Sequence, residues 1–231
     1  MEAIILAGGL GTRLRSVVSD RPKCMAEVEG KPFLYYWLRL LERYGVSKVI
    51  FSLGYKAESI TKWCDGIRKD FPFSMEYKTE PEPLGTGGAI KYSLTASSDN
   101  EVLIINGDSL FLLDIRDLER KYNSCKASAV LGLKPMKDFS RYGNVTINKE
   151  NKIINFEEKK FCSEGLINCG VYIVNKEKLN LDAFPEKFSF EKEVLEKRKD
   201  IYGFVYDDYF IDIGIPEDYM KAQKELPLLF D

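Results

Sequence analysis

Histidine is absent from all 231 residues, and that absence removes whole classes of chemistry. Ser-His and Cys-His nucleophilic catalysis are excluded, and a zinc site loses its commonest nitrogen ligand. Cysteine is sparse: Cys24, Cys64, Cys125, Cys162 and Cys169 are odd in number and lack C-x-x-C spacing, which argues for reduced thiols in a cytosol. Cys24 stands beside Lys23 but reads as a packed small side chain. No apolar run approaches the ~18 residues of a membrane span and no signal-peptide pattern is present, so a soluble, cytoplasmic protein without membrane partners is expected. Charge of one sign is missing too. With 34 Lys and Arg against 36 Asp and Glu, the net charge of −2 gives no global field for nucleic acid, and any cationic function must be local. Repeats, low-complexity tracts and linkers are also lacking. What remains, 45% hydrophobic residues, suits the core of one large α/β domain.

The most informative segment is Ile4 to Lys31, IILAGGLGTRLRSVVSDRPKCMAEVEGK. Ala3 to Ala7 form an apolar run short enough for a central parallel strand. Gly8, Gly9 and Gly11 then let the main chain come close to a ligand with its N–H groups aimed at phosphate oxygens. Arg13 follows as a planar fork suited to phosphate, and Lys23 adds a point charge after Pro22 has fixed the local backbone. A Walker A loop would need Lys then Ser or Thr after its last glycine, and a dinucleotide fingerprint would need glycine where Leu14 stands. Neither condition is met. The glycines alone are as readily an ordinary turn; with Arg13 and the Pro22-Lys23 step they point to a nucleoside triphosphate.

Strands and helices alternate through the first two thirds. Leu34, Trp37, Leu38 and Leu41 recur at helical spacing, Val49 to Leu53 read as a strand, and Ile60, Trp63, Cys64 and Ile67 mark another helix. Met75 and Tyr77 suggest a strand, Ala89 to Leu94 a helix, and Val102 to Ile105 a buried strand. This rhythm predicts a Rossmann-like, mostly parallel sheet flanked by helices. From about Tyr142 shorter strands are expected at 145–147, 153–156 and 171–174, with helices around 190–197 and 217–225. The whole chain, 1–231, is read as one domain, with about 1–140 binding nucleotide and about 141–231 forming a smaller mixed region for the second substrate. The strand 102–105 runs into Asn106-Gly107-Asp108, which places a carboxylate at the sheet edge where open α/β sheets bind ligands. Asp212 follows a second apolar run. Two carboxylates, phosphates and water form a hard-oxygen shell suited to Mg²⁺. Taken alone, Asn-Gly-Asp is more often a turn, Thr79 to Gly88 a plain loop, and Glu157 to Lys160 a solvated charge run. Asp114 and Asp117 read as helix-cap or solvent-facing residues.

LAGGLGTRLR followed by PKCMAEVEGKPFL resembles the signature of the sugar-phosphate nucleotidyltransferases, or nucleotide-sugar pyrophosphorylases. VVSD before the Pro-Lys step and MAEV after it are most similar to the heptose 1-phosphate and mannose 1-phosphate guanylyltransferase branches. The resemblance implies the nucleotide-diphospho-sugar transferase fold, with nucleotide held by Leu6, Gly8, Gly9, Gly11, Thr12 and Arg13. It makes Arg13 and Lys23 the catalytic cations, with Lys23 on the α-phosphate. It assigns Mg²⁺ to Asp108 and Asp212, Asp108 also contacting nucleotide. In the second glycine-rich segment it makes Glu80 the base reader, with Gly85 and Thr86 alongside. Phe156-Glu157-Glu158-Lys159 is similar to the family's F-x-E-K step, so Glu158 is expected on sugar hydroxyls and Lys159 on the sugar phosphate. Gly143 and Asn168 match loops that contact the sugar. Phe188-Ser189-Phe190-Glu191-Lys192 resembles a helix start in the guanylyltransferase branch, its acids serving as caps.

Base choice follows from hydrogen-bond chemistry once Glu80 is the reader. A carboxylate only accepts, and guanine presents N1–H and its N2 amino group side by side as donors. Uracil and thymine flank one donor with carbonyl acceptors, and cytosine would set an acceptor against an anion. GTP is therefore expected, together with a sugar 1-phosphate, first D-glycero-α-D-manno-heptose 1-phosphate, yielding a GDP-sugar for surface polysaccharide and pyrophosphate. Mannose 1-phosphate guanylyltransferase, a uridylyl- or cytidylyltransferase relative and an inactive nucleotide-sugar sensor are the alternatives. Self-association stays open.

Overall fold

The computed structural model describes residues 1–9, 21–157 and 159–230. A nine-stranded sheet organises them. Its parallel half is built from β1 (Glu2–Ala7), β4 (Lys48–Leu53), β5 (Ser74–Thr79) and β6 (Glu101–Asn106), after a small hairpin of β2 (Glu27–Val28) and β3 (Lys31–Pro32). β1 lies in the middle, with Ile5 level with Phe51 on one side and Ile105 on the other. From Ala3 to Ala7 its residues are apolar because both faces are covered. Ala3 and Ile5 enter one core with Phe51, Leu103 and Trp37, while Ile4 enters a second with Ile50, Ile104 and Tyr172.

Helices supply the covers. α1 (Phe33–Arg43) starts after Pro32 and buries Phe33, Leu34, Trp37, Leu38 and Leu41. It ends because Gly45 takes φ +69°, so that the Val46 N–H reaches back to the Leu41 carbonyl at 3.2 Å and the Gly45 N–H to Glu42 at 3.0 Å, a Schellman stop. Trp37 then donates its indole N–H to the Ser109 carbonyl at 2.5 Å, tying α1 to the short strand that follows the turn after β6. α2 (Ala57–Ile67), α3 (Gly85–Leu94) and α4 (Ile115–Ser124) complete the first part, with β7 (Ser109–Phe111) between β6 and α4. Asp114 caps α4 as expected, accepting from the Arg116 and Asp117 N–H groups.

Four of the six remaining strands join the same sheet antiparallel; the fifth joins it parallel, and the last forms a separate two-stranded sheet with β7. β8 (Ala129–Phe139), β9 (Asn144–Ile147), β10 (Ile153–Glu157) and β11 (Cys162–Asn175) are followed by the short helix α5 (Lys176–Leu179), β12 (Ile201–Val205), β13 (Phe210–Asp212) and α6 (Pro216–Phe230). β11 pairs with β6 along one edge and with β8 along the other. The strand expected at 171–174 is thus only the end of a fourteen-residue element, and β8 was not expected at all. Pro135 disguises β8, but it lies past Leu133, where pairing with β12 stops, so its missing N–H breaks no ladder on that side. Two helix boundaries also differ from expectation. α3 begins at Gly85 rather than Ala89, and the expected helix at 190–197 is a π-helical turn at Glu191–Leu195. No helix among the described residues is long and apolar enough to cross a membrane.

Candidate active site

Because β1, β4, β5 and β6 are parallel, their carboxyl ends meet at one sheet edge, where Gly8, Gly54, Glu80 and Asp108 follow. Lys23 reaches this edge from a tight 3₁₀ turn, Lys23–Met25, which is anchored by the buried Cys24 and Met25. Its Nζ donates to Asp108 Oδ2 at 2.7 Å, with the lysine side chain 12% exposed and the aspartate 42%. Burial pushes the Cys24 thiol well above its ordinary range, consistent with a packed, unreactive side chain.

Asp212 arrives from β13, which pairs with β7 so that Asp212 stands level with Ser109, the residue after Asp108. Its Oδ1 accepts the Gly214 N–H at 2.8 Å. A methyl added at Gly214 would lie 2.8 Å from Asp212 Oδ1 and 3.1 Å from Lys23 Nζ, so the lysine and both aspartates share one small region. Burial and the neighbouring Asp108 charge push the Asp212 carboxyl above its ordinary range, while Lys23 and Arg141 oppose the rise. Two mutually repelling carboxylates with few protein donors to satisfy them are the donor set of a hard cation.

These groups open onto a cavity of about 340 Å³ whose wall includes Lys23, Thr86, Asp108, Gly143, Lys159, Asn168 and Asp212. Asn168 is held by its Nδ2, which donates to the Tyr172 hydroxyl at 2.8 Å, and by its Oδ1, which accepts the Gly170 N–H at 3.1 Å. Its N–H donates to the Gly143 carbonyl at 3.2 Å, so the two expected sugar loops are joined. Two charged wall residues lie outside the expected site set. Arg141 donates through Nη2 to the Tyr142 hydroxyl at 2.9 Å and pairs with Asp218 of α6; its Nη1 is buried without a hydrogen-bond partner among the described residues. The other is Glu191. Expected to cap a helix, its carboxylate instead accepts from the Thr86 and Ser189 hydroxyls, and Ser189 Oγ takes the Lys192 N–H as a cap would. The Tyr142-Gly143 and Phe188-to-Lys192 steps were visible signals, but neither arginine nor glutamate could be aimed without the fold.

Leu6, Gly8, Gly9, Glu80 and Gly85 do not line that cavity. Of these, Gly8 and Glu80 meet at the carboxyl edge of the sheet. Glu80 donates its N–H to the Leu53 carbonyl at 2.8 Å, its Oε2 accepts the Leu84 N–H at 2.9 Å, and a methyl on Gly8 would lie 3.0 Å from Oε1. The carboxylate therefore stands against the first glycine turn, and partial burial raises its pKa above the ordinary 4.5. The glycines opening α3 serve packing as well. A methyl on Gly88 would be 2.1 Å from the Glu186 carbonyl oxygen, and the Gly87 N–H donates to the Phe188 carbonyl at 3.0 Å. Gly11, Thr12, Arg13 and Glu158 lie outside the described residues.

The chain is similar to known proteins over nearly its full length. D-glycero-alpha-D-manno-heptose 1-phosphate guanylyltransferase of Aneurinibacillus thermoaerophilus is 52% identical over 229 residues, covering 98% of each chain. The enzyme of that name from Campylobacter jejuni is 45% identical over 95% of this chain and 97% of its own. The crystal structure of HddC from Yersinia pseudotuberculosis complexed with GMP-PN superposes with a TM-score of 0.85 at 41% identity, over 97% of this chain and 99% of that one. Residues 2–227 match the family model for nucleotidyl transferases, and the chain belongs to the nucleotidyl transferase family.

Proposed function

We propose that the protein is a cytoplasmic D-glycero-α-D-manno-heptose 1-phosphate guanylyltransferase, converting GTP and the heptose 1-phosphate to the GDP-sugar and pyrophosphate for surface polysaccharide. The observation that carries the reading is the convergence of Lys23, Asp108 and Asp212 at the mouth of a polar cavity. The near-full-length likeness to proteins of that name supports the sugar, and the acceptor-only Glu80 beside Gly8 supports guanine.

In the reaction a phosphate oxygen of the sugar 1-phosphate forms a bond to the α-phosphorus of GTP, and the bond from that phosphorus to the β-phosphate oxygen breaks. Pyrophosphate leaves. The attacking phosphate is already largely dianionic near pH 7, so a chain without histidine needs no strong base. Lys23 spends one donor on Asp108 and keeps two for α-phosphate oxygens, where charge develops during transfer. Lys159 on the cavity wall orients the attacking phosphate, and Asn168 with the Gly143 backbone positions the sugar ring. Asp108 and Asp212 fit Mg²⁺ by their chemistry and mutual repulsion. When bound, Mg²⁺ would supply charge neutralisation and alignment of the two phosphates. The remaining acceleration is positioning by the chain's own groups.

Pyrophosphate release measured for four NTPs against heptose 1-phosphate, mannose 1-phosphate and glucose 1-phosphate tests the reading. GTP with the heptose gives the highest kcat/KM. A higher value for another nucleotide or sugar, or no release with any pair, refutes it.

A further inference from the structure

Apart from Asp108 and Asp212, one acidic side chain is on the wall of the large cavity among the described residues, and it has no place in the transfer chemistry. That residue is Glu191. Its carboxylate is fixed by one distant and one local partner: Oε2 accepts the Thr86 hydroxyl at 2.5 Å and the Ser189 hydroxyl at 2.7 Å. Thr86 is itself oriented, because its Oγ1 accepts the Phe190 N–H at 2.9 Å. Such a fixed anion is a built feature rather than a solvated surface charge. An ionised carboxylate has about four acceptor sites and no donor, so the two hydroxyls leave acceptor capacity at the wall. A phosphate would be repelled there. Hydroxyl donors are the ligand groups that fit, and the neighbouring Asn168–Tyr172 pair adds neutral polar groups of the kind that read a polyol.

We infer that Glu191 determines sugar specificity, its carboxylate accepting a hydroxyl of the sugar while Thr86 and Ser189 hold it in place. The inference rests on the guanylyltransferase reading above and extends it to a residue outside the transfer machinery. It also gives Thr86 a new role. Sited just after Gly85 on the base-reading segment, Thr86 props the sugar wall, so the segment that carries Glu80 also supports sugar recognition.

The test begins with the unaltered enzyme, GTP and heptose 1-phosphate. Absence of pyrophosphate release overturns the guanylyltransferase reading and this inference together. Given release, Glu191→Gln is expected to raise KM for the sugar about 10- to 100-fold, the range of one hydrogen bond to a charged acceptor, with KM for GTP within about twofold. The GTP constant from the same preparation reports an intact fold. A series of monodeoxy mannose 1-phosphates and 7-deoxyheptose 1-phosphate then separates contact from support. One deoxy position should carry a large penalty in the unaltered enzyme and little further penalty in Glu191→Gln. An unchanged sugar KM, equal rises for both substrates, or identical deoxy penalties in the two proteins overturns the inference while leaving the guanylyltransferase reading standing.

Discussion

Replacing Glu80 with Gln keeps the side chain's shape and turns one acceptor into a donor. In the folded chain one oxygen is committed, since Oε2 accepts the Leu84 N–H at 2.9 Å. The amide oxygen of the variant must take that place, because an amino group there would oppose a donor. The new amino group then falls at Oε1, the atom beside Gly8, where the N1–H and N2 donors of guanine are to be received. One charge-assisted hydrogen bond is lost, at about 1.5–3 kcal/mol, and a guanine donor is left facing a donor, at about 1–3 kcal/mol. A loss of about 3 kcal/mol corresponds to roughly 150-fold in kcat/KM for GTP. ITP sharpens the test, because hypoxanthine lacks the 2-amino group. The unaltered enzyme should prefer GTP to ITP by roughly 10- to 100-fold, one such bond, and that preference should collapse in Glu80→Gln. Initial rates of pyrophosphate release with GTP, ITP and UTP give the ratios. A well-folded Glu80→Gln protein that keeps the original GTP:ITP:UTP ratios refutes the assignment of Glu80 to the base.

Glu80 also sets a pH dependence. Burial raises its pKa in the free protein, and guanine's donors favour the anion, so kcat/KM for GTP should fall as pH is lowered through a value above the ordinary 4.5. Glu80→Gln should lose that limb of the profile, and an identical limb in the variant would refute it. Lys23→Ala removes the donor pair left for the α-phosphate and should lower kcat about 10²–10³-fold in a single-turnover assay, with a smaller change in nucleotide affinity by calorimetry; full kcat would reject Lys23 as the transfer cation. Chelation of divalent cations should abolish turnover and added Mg²⁺ restore it, while Asp108→Asn should need far more Mg²⁺ for half-maximal rate; an unaltered Mg²⁺ requirement argues against Asp108 as a ligand. Gly88→Ala would place a methyl 2.1 Å from the Glu186 carbonyl and 2.8 Å from Leu84 Cβ, which no side-chain rotation relieves. It should cost about 2 kcal/mol and lower Tm by about 4–8 °C, and a Tm within about 1 °C of the parent would show that the 186–188 segment yields.

The parallel half of the sheet was legible because its strands are buried on both faces and its helices carry their apolar residues at regular spacing. Ile4, Ile50 and Ile104 face one core while Ile5, Phe51 and Ile105 face the other, so a continuous apolar run was the right signal. The later strands obey different rules. β11 carries Gly165, Asn168 and Gly170 within its fourteen residues, and its register shifts between Asn168 and Tyr172; turn-forming residues here mark a bulge inside a strand rather than its end. β8 is hidden by Pro135 in the same way. The glycines before Ala89 looked like a loop on propensity, yet they open α3 because close approach of the 186–188 segment outweighs their intrinsic cost.

A similar division runs through the site. Lys23, Asp108 and Asp212 could be proposed from sequence because each is placed by a local device: a Pro-Lys turn, a strand end, a second strand running beside it. Arg141 and Glu191 depend on tertiary aim. The arginine bridges to Asp218, 77 positions away, and the glutamate to Thr86, 105 positions away, so no window of sequence contains both halves of either contact. Asp108 follows a strand of the parallel sheet, Lys23 opens the turn after Pro22, and Asp212 closes a short strand beside Ser109, placements marked by short stretches of sequence. The groups proposed to surround the sugar come from the antiparallel strands, the π-helical turn and the start of α3, whose relative positions exist only once the two cores have packed. On the proposed roles, nucleotide chemistry is encoded locally and sugar recognition globally, and changes in sugar preference should arise at Glu191 and its supports without disturbing Lys23 or Asp108.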